Sequence, residues 1–463
     1  MIRTRYRNGT ALLLLALPAL ALATVPFERR WHWFREDIGR SVALTADGGY
    51  LVGGQTWAGG SQYGIVLART DSLGDTTSVR HLPDVGNGSG YLCHLRGGGF
   101  ATAGIRNSHK FARGFGPSGD SIWSYDSSHS GLVYALIAVS DGGCLIAGRD
   151  SMQDMGLVKL DSTGHEEWNH GYDVPSVQGS KGYGVAETRD SGFILCGDVT
   201  DYMGSYVRLV RTNAAGDTIW TRLFSGPVGP SLRAVCETPD RGFLAVGSES
   251  DTLQTQNAVY LMRTDSNGAL VWTRNISLPG AGTQATALRP TRDSGYILAG
   301  SIDWGDSARV WLVKLDANAD TVWTSVVGGR GREQAVDVWQ TPDGGYVLAG
   351  TSDPPSDSIL LVKTDSLGFA PYGVAEEKSV VHERIALSVA PNPAKGVVRI
   401  ECYLPMNTPT SLRMYDVAGH RVYSSFVIRT SDFHLDLRSI PAGVYLLRLE
   451  SDGGSATRKL VIE

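Results

Sequence analysis

Long apolar runs are almost missing from these 463 residues. The one that stands out, "ALLLLALPALALA", is about 13 residues long and broken by Pro18, too short to span a bilayer. Cysteine is scarce and odd in number, five, so a complete disulfide framework is excluded. Charge is nearly balanced at −5, which gives no basic stripe for nucleic acid and little pull toward an anionic membrane surface. Chemical fingerprints are missing as well. No G-x-S-x-G elbow, phosphate-binding loop or dinucleotide motif occurs, so no cofactor is expected. "HEEWNH", His165 to His170, has one residue too many for a zinc-binding H-E-x-x-H, and in a strand its two histidines point to opposite faces. "TDSNGALVW", with Asp265, Asn267 and Gly268, lacks the later ligands of a calcium loop and reads as a hairpin turn. Metal is therefore not expected at either place.

The N-terminus reads as a signal peptide over residues 1–23. Arg3, Arg5 and Arg7 precede the apolar run, and Ala21-Leu22-Ala23 has the small-x-small form of a cleavage site. The expected mature chain begins near Thr24 and is exported.

Glycine is abundant, 57 residues, and much of it sits at fixed places in a repeat. "TPDGGYVLAG" (341–350) recurs as "TADGGYLVGG", "VSDGGCLIAG", "TRDSGFILCG", "TPDRGFLAVG" and "TRDSGYILAG". Anchored on its aromatic place, the copies fall at Tyr50, Phe100, Cys144, Phe193, Phe243, Tyr296 and Tyr346. An aliphatic lies eight residues before each anchor (Val42, Leu92, Leu136, Val185, Val235, Leu288, Val338) and a glycine four residues after. A later strand ends in a basic residue and a turn, and a tryptophan follows at Trp123, Trp168, Trp220, Trp272 and Trp323.

Each unit thus holds four short apolar runs separated by Gly/Asp/Ser/Asn turns, with no helical period. Four strands in roughly 40–50 residues describe a β-propeller blade. The expected fold is all-β: a seven-bladed propeller over residues 24–372. Glycine near the inner strands is expected to let blades crowd together. The last unit lacks its fourth strand, and the orphan "FERRWHWFRED" (27–37) is expected to supply it through Trp31 or Trp33, closing the ring without an unpaired edge.

Beyond a polar linker at 373–386, residues 387–463 form a series of short alternating strands with Gly-centred turns, as in a small β-sandwich. Pro391-Asn392-Pro393, the "MYDVAGHRV" hairpin with Gly419, "PAGVYLLRL" from Pro441 and the terminal "RKLVIE" resemble the type A C-terminal sorting domain of the type IX secretion system. They resemble more distantly the immunoglobulin-like domain of flagellar hook-capping proteins. The resemblance covers about a sixth of the chain. It implies an address read by outer-membrane export machinery and a secreted or cell-surface location.

The register of Arg69, Lys159, Arg211, Arg263, Lys314 and Lys363 is one basic residue per unit, which argues for a structural part paired with a turn aspartate. Cys196 shares a small-residue register and Cys93 shares one with Cys236, so core packing competes with a Cys196–Cys236 bridge. Cys144 takes an aromatic place, and Cys402 lies in the tail. Function is expected where blades differ, in the loops after the glycine register and between blades. Trp57, Tyr202, Asp303, Trp304, Arg330 and Arg332 are the candidate binding residues, suited to a glycan or protein ligand. The expected function is a non-enzymatic, monomeric binding or scaffold module. The alternative is a polysaccharide lyase or glycosidase working in the channel, although the inner-strand positions Arg233, Arg289 and Asp337 offer no acid pair. A quinone-cofactor propeller would need contacts that the sequence does not identify.

Overall fold

Short β-branched and aromatic runs cut by glycine turns leave strands as the available element, and the computed structural model contains no helix among its described residues. These are 25–33, 36–59, 62–82, 90–173, 179–200, 205–225, 229–250, 257–278, 280–305, 307–329, 331–353, 357–370, 386–390, 392–403, 410–417, 419–426, 432–438, 440–451 and 454–463. The signal-peptide segment and nearly all of the linker lie outside them. The chain divides into two compact units, Met1–Gly373 and Val374–Glu463.

In the first unit the strands pair into four-stranded antiparallel groups, the blades of a propeller. The first is Glu36–Leu44, Tyr50–Gly59, Gln62–Thr70 and Thr76–Leu82, each strand bonded to the next. Five more follow the same order, ending with Gly282–Pro290, Tyr296–Asp303, Ala308–Leu315 and Thr321–Val327. The last combines Arg332–Gln340, Tyr346–Asp353 and Ser358–Thr364 with Phe27–Trp31 from the chain's other end. The inner strand of each group touches that of the next, and Glu36–Leu44 lies against Arg332–Gln340.

Two details differ from the sequence reading. The segment 27–37 is not one strand: Phe27–Trp31 completes the last blade, while Glu36 already belongs to the inner strand of the first. The residue in the tryptophan place is Phe27, not Trp31 or Trp33. Phe27 stands opposite Lys363 as Trp323 stands opposite Lys314. Register decides this, because the ring must face the anchor of the following blade. Trp168 lies 5.9 Å from Phe193, Trp220 5.7 Å from Phe243, Trp323 5.8 Å from Tyr346, and Phe27 5.7 Å from Tyr50. Each such aromatic pair is worth about 0.5–1.5 kcal/mol beyond its buried area.

The basic register is structural. Arg69 reaches Asp47 at 2.9 Å, Lys159 reaches Asp141 at 2.8 Å, Lys314 reaches Asp293 at 2.9 Å and Lys363 reaches Asp343 at 2.9 Å. Arg211 and Arg263 meet Asp190 and Asp240 in the same way. Every one of these aspartates comes from the D-G-G-type turn of the same blade. The second blade has Gly97 at the aspartate place and Gly114 at the basic place, and the Trp123 ring covers Gly114. Both partners are gone together, since half a pair would strand a charge.

Cys93, Cys144, Cys196 and Cys236 are buried free thiols, so they pack the core and no Cys196–Cys236 bridge joins the blades. Cys93 lies within hydrogen-bonding reach of Cys144 in the next blade, and that contact together with burial holds its thiol well above the usual range. The side chain of Cys402 is outside the described residues.

In the second unit, Ala386–Ala390, Val397–Tyr403 and Asp432–Asp436 form one sheet. Arg421–Phe426, Thr410–Tyr415, Gly443–Ser451 and Gly454–Ile462 form another. Val398, Ile400, Leu412, Met414, Leu447, Leu449 and Leu460 fill the core between them. Asn392 donates to the Lys459 carbonyl at 2.6 Å and accepts from the Val461 amide at 2.9 Å, which ties the Pro-Asn-Pro motif to the terminal strand.

Candidate functional site

The recurring glycine four residues after the anchor has a different role from the one its spacing suggests. A Cβ at Gly197 would lie 1.8 Å from the Lys181 carbonyl oxygen, and one at Gly300 would lie 1.9 Å from that of Gln284. The close approach is to the inner strand of the same blade, not to a neighbouring blade. It exists because that strand is bulged: register slips between Gly39 and Ser41, Val133 and Ala135, Gly182 and Gly184, Leu232 and Ala234, Ala285 and Ala287, and Ala335 and Asp337. A bulge leaves one residue out of the ladder and re-aims its side chain. Here it faces the central channel.

The bulged positions stand ten residues before six of the seven anchors and differ in residue type: Arg40, Tyr134, Tyr183, Arg233, Thr286 and Val336. All six line a chamber of about 190 Å³, together with Tyr91, Arg289 and Asp337. Nearer the D-G-G turns lies an apolar cavity of about 390 Å³, walled by the −8 aliphatics Val42, Leu92, Leu136 and Val185 and by Trp339 and Arg289.

Charges in the chamber are mostly matched internally. The Arg233 guanidinium sits 3.8 Å from the Tyr183 ring centroid and 3.4 Å from Asp198. Burial raises the Asp198 carboxyl above the usual range, with Arg233 opposing. Arg289 lies 4.3 Å over Trp339 and 3.1 Å from Asp337, whose carboxylate also accepts from the Val42 amide at 3.2 Å. Among the described residues Arg40 meets only the neutral Gln55 carbonyl, at 3.3 Å, and its Nε is buried with no acceptor. Tyr134 and Tyr183 form a tilted pair with centroids 4.8 Å apart. Burial, then the neighbouring Tyr183, lifts the Tyr134 phenol to about 12. Burial raises Tyr91 too, while Arg40 and Arg233 pull it back, which puts both guanidiniums within electrostatic reach of its hydroxyl.

This wall is aromatic and cationic. Among the described residues no group of three or more His, Cys, Asp or Glu side chains is placed to hold a metal ion. His170 packs 5.2 Å from Trp168 within its strand.

Of the sequence candidates, the structure brings Asp303, Trp304 and Arg332 together. Arg332 pairs with Asp303 at 2.5 Å and donates to the Gly305 carbonyl at 2.6 Å, and the exposed Trp304 is next in sequence. Trp57 stacks on Tyr63 of its own hairpin, 6.3 Å apart. Tyr202 and Arg330 lie outside the described residues. Arg233, Arg289 and Asp337 are in the channel, as their inner-strand register implies, whereas Arg40, Tyr91, Tyr134 and Tyr183 escaped notice. Arg40, Tyr134 and Tyr183 had a signal, a −10 position that changes residue type two places from the −8 aliphatic, whereas Tyr91 stands at −9 of its blade.

Residues 388–463 match the family model described as the secretion system C-terminal sorting domain. The chain therefore carries a type IX sorting domain and is exported to the cell surface or the extracellular space. Comparison with curated proteins gave no match. Similar solved structures include a lectin from Burkholderia pseudomallei, 8% identical, covering 73% of this chain and 98% of that one at a TM-score of 0.49. The WD40 domain of Toxoplasma gondii coronin is 10% identical, with 77% and 90% covered at 0.47. The β-propeller domain of the Trilobed protease from Pyrococcus furiosus is 8% identical, with 75% and 100% covered at 0.44.

Proposed function

We propose that this protein is an exported, non-enzymatic binding module whose ligand enters the propeller channel at the level of the bulges. The observation that carries the reading is the contrast between neighbouring registers of one strand. The −8 position is held aliphatic in every blade, while the −10 position places Arg40, Tyr134, Tyr183 and Arg233 around one chamber. A scaffold repeats what it needs for packing and varies what it uses for recognition.

Binding is favoured over catalysis because Asp198 and Asp337 are each held by an arginine, which leaves neither poised as a general acid or base. Trp57 and Trp304 supply outer contacts for a ligand long enough to emerge from the channel. The test is a glycan and peptide array screen of the full exported chain, repeated with Tyr183→Ala, Tyr134→Ala, Trp57→Ala and Trp304→Ala. Binding should fall sharply with the two tyrosine changes and modestly with the tryptophans. Binding untouched by either tyrosine change would overturn the channel reading, and turnover of a bound polysaccharide would overturn the non-enzymatic one.

A further inference from the structure

We infer that the channel chamber takes a saccharide bearing a carboxylate, with Arg40 as the residue that receives the charge. The inference rests on the binding reading above and narrows it to a ligand class.

Three guanidiniums face the chamber, and two are already answered: Arg233 by Asp198 and Arg289 by Asp337. Among the described residues Arg40 has only Gln55 and no carboxylate, and its Nε, like that of Arg289, is buried without an acceptor. Arg40 is partly buried with no anion beside it among the described residues, and its planar fork of donors suits a carboxylate. Beside it the hydroxyls of Tyr91, Tyr134 and Tyr183 make no hydrogen bond to the protein among the described residues. They offer three donor–acceptor groups at the edge of aromatic faces. A polyhydroxylated ring answers all of these at once: its hydroxyls meet the phenols, its C–H face lies on the tilted Tyr134–Tyr183 pair, and its carboxylate meets Arg40. An acidic peptide supplies the charge but brings few hydroxyls into a space of about 190 Å³.

The test is isothermal titration calorimetry on the full exported chain with three probes: a short oligogalacturonate, its methyl ester and a short polyglutamate. The first should bind, and the ester and polyglutamate should bind at least about tenfold more weakly. Arg40→Gln should remove that preference with an unchanged melting temperature, whereas Arg222→Gln on an outer strand should leave it intact. Equal binding of acid and ester, acid binding indifferent to Arg40→Gln, or polyglutamate binding as well as the saccharide would each overturn the inference. If array ligands respond to Tyr183→Ala but none responds to Arg40→Gln, the acidic-sugar inference falls while the channel reading stands. If no ligand responds to either, both fall. Should Arg40→Gln lower the melting temperature, Arg40→Lys, which keeps the charge but loses the planar fork, must weaken the acid alone.

Discussion

Phe27 and Tyr50 meet edge to face, their ring centroids 5.7 Å apart and their planes at 61°, across the seam where the first strand of the chain joins the last blade to the first. Gly74, at φ +81°, lies under the Phe27 ring and leaves it room. Phe27→Ala should cost about 3–5 kcal/mol of stability, as large truncations of a buried aromatic do. Trp31→Ala, at a half-buried ring stacked on Trp33, should cost only about 1 kcal/mol. Urea denaturation of the two variants checks the order, and a larger loss at Trp31 would place the seam elsewhere.

Lys363 is fully buried and Asp343 nearly so, whereas Arg69 and Asp47 are about one-third and more than half exposed. Asp343→Ala should therefore cost about 3–5 kcal/mol by stranding the lysine, while Asp47→Ala costs less than about 1 kcal/mol. Changing Asp343 and Lys363 together to glycine, the state of the second blade, should cost less than Asp343→Ala alone. Denaturation midpoints of the three variants decide the matter.

Burial lifts the Glu333 carboxyl to about 7, Arg30 opposing and Glu28 adding to the rise. Arg30 stands between the two acids, 2.5 Å from Glu28 and in direct contact with Glu333. The folded state thus keeps a proton that the unfolded chain releases near 4.5, so this group makes stability fall as pH rises from about 4.5 to about 7. The full difference is on the order of 3 kcal/mol. Glu333→Gln should raise stability at neutral pH and flatten that slope, which denaturation at about pH 5 and about pH 8 would reveal.

Gly197→Ala would drive a methyl into the Lys181 carbonyl at the bulge that presents Tyr183. A stability loss of about 1–3 kcal/mol is expected, with ligand binding reduced alongside. The matching change at Gly443, where the nearest atom is 3.4 Å away on the Tyr445 ring, should be mild. Equal losses at the two sites, read by thermal melts, would refute the close-approach account.

Asn392→Ala removes two hydrogen bonds that hold the terminal strand of the sorting domain. Destabilisation of about 1–3 kcal/mol is expected, together with a lower fraction of the protein in the medium of the secreting cell. Export at the wild-type level with a clearly lowered melting temperature would separate the address from the fold of its carrier.

Much of the propeller was legible because every blade meets an equivalent neighbour, so each packing requirement is written repeatedly. The anchor aromatic, the tryptophan place and the basic–aspartate pair can all be read from spacing. Arg211 with Asp190 shows the pair as readily as Lys314 with Asp293. The site was less legible. The bulge recurs with the repeat but leaves no mark of its own in residue type, and the glycine opposite it at Gly197 or Gly300 looks like any small residue between sheets until the opposing carbonyl is seen. Phe27 was hidden by two nearby tryptophans, since composition favoured Trp31 and Trp33 while register favoured the smaller ring. The rim candidates came from loop composition alone, which can name Asp303 and Arg332 but not foresee that they satisfy each other.

Because Phe27–Trp31 pairs with Ser358–Thr364, the first described strand of the propeller waits for the last. The export address at 388–463 emerges later still. A chain cut short before Ser358 leaves Phe27–Trp31 without that partner and also lacks the sorting domain, so an unfinished ring carries no ticket for the outer-membrane step.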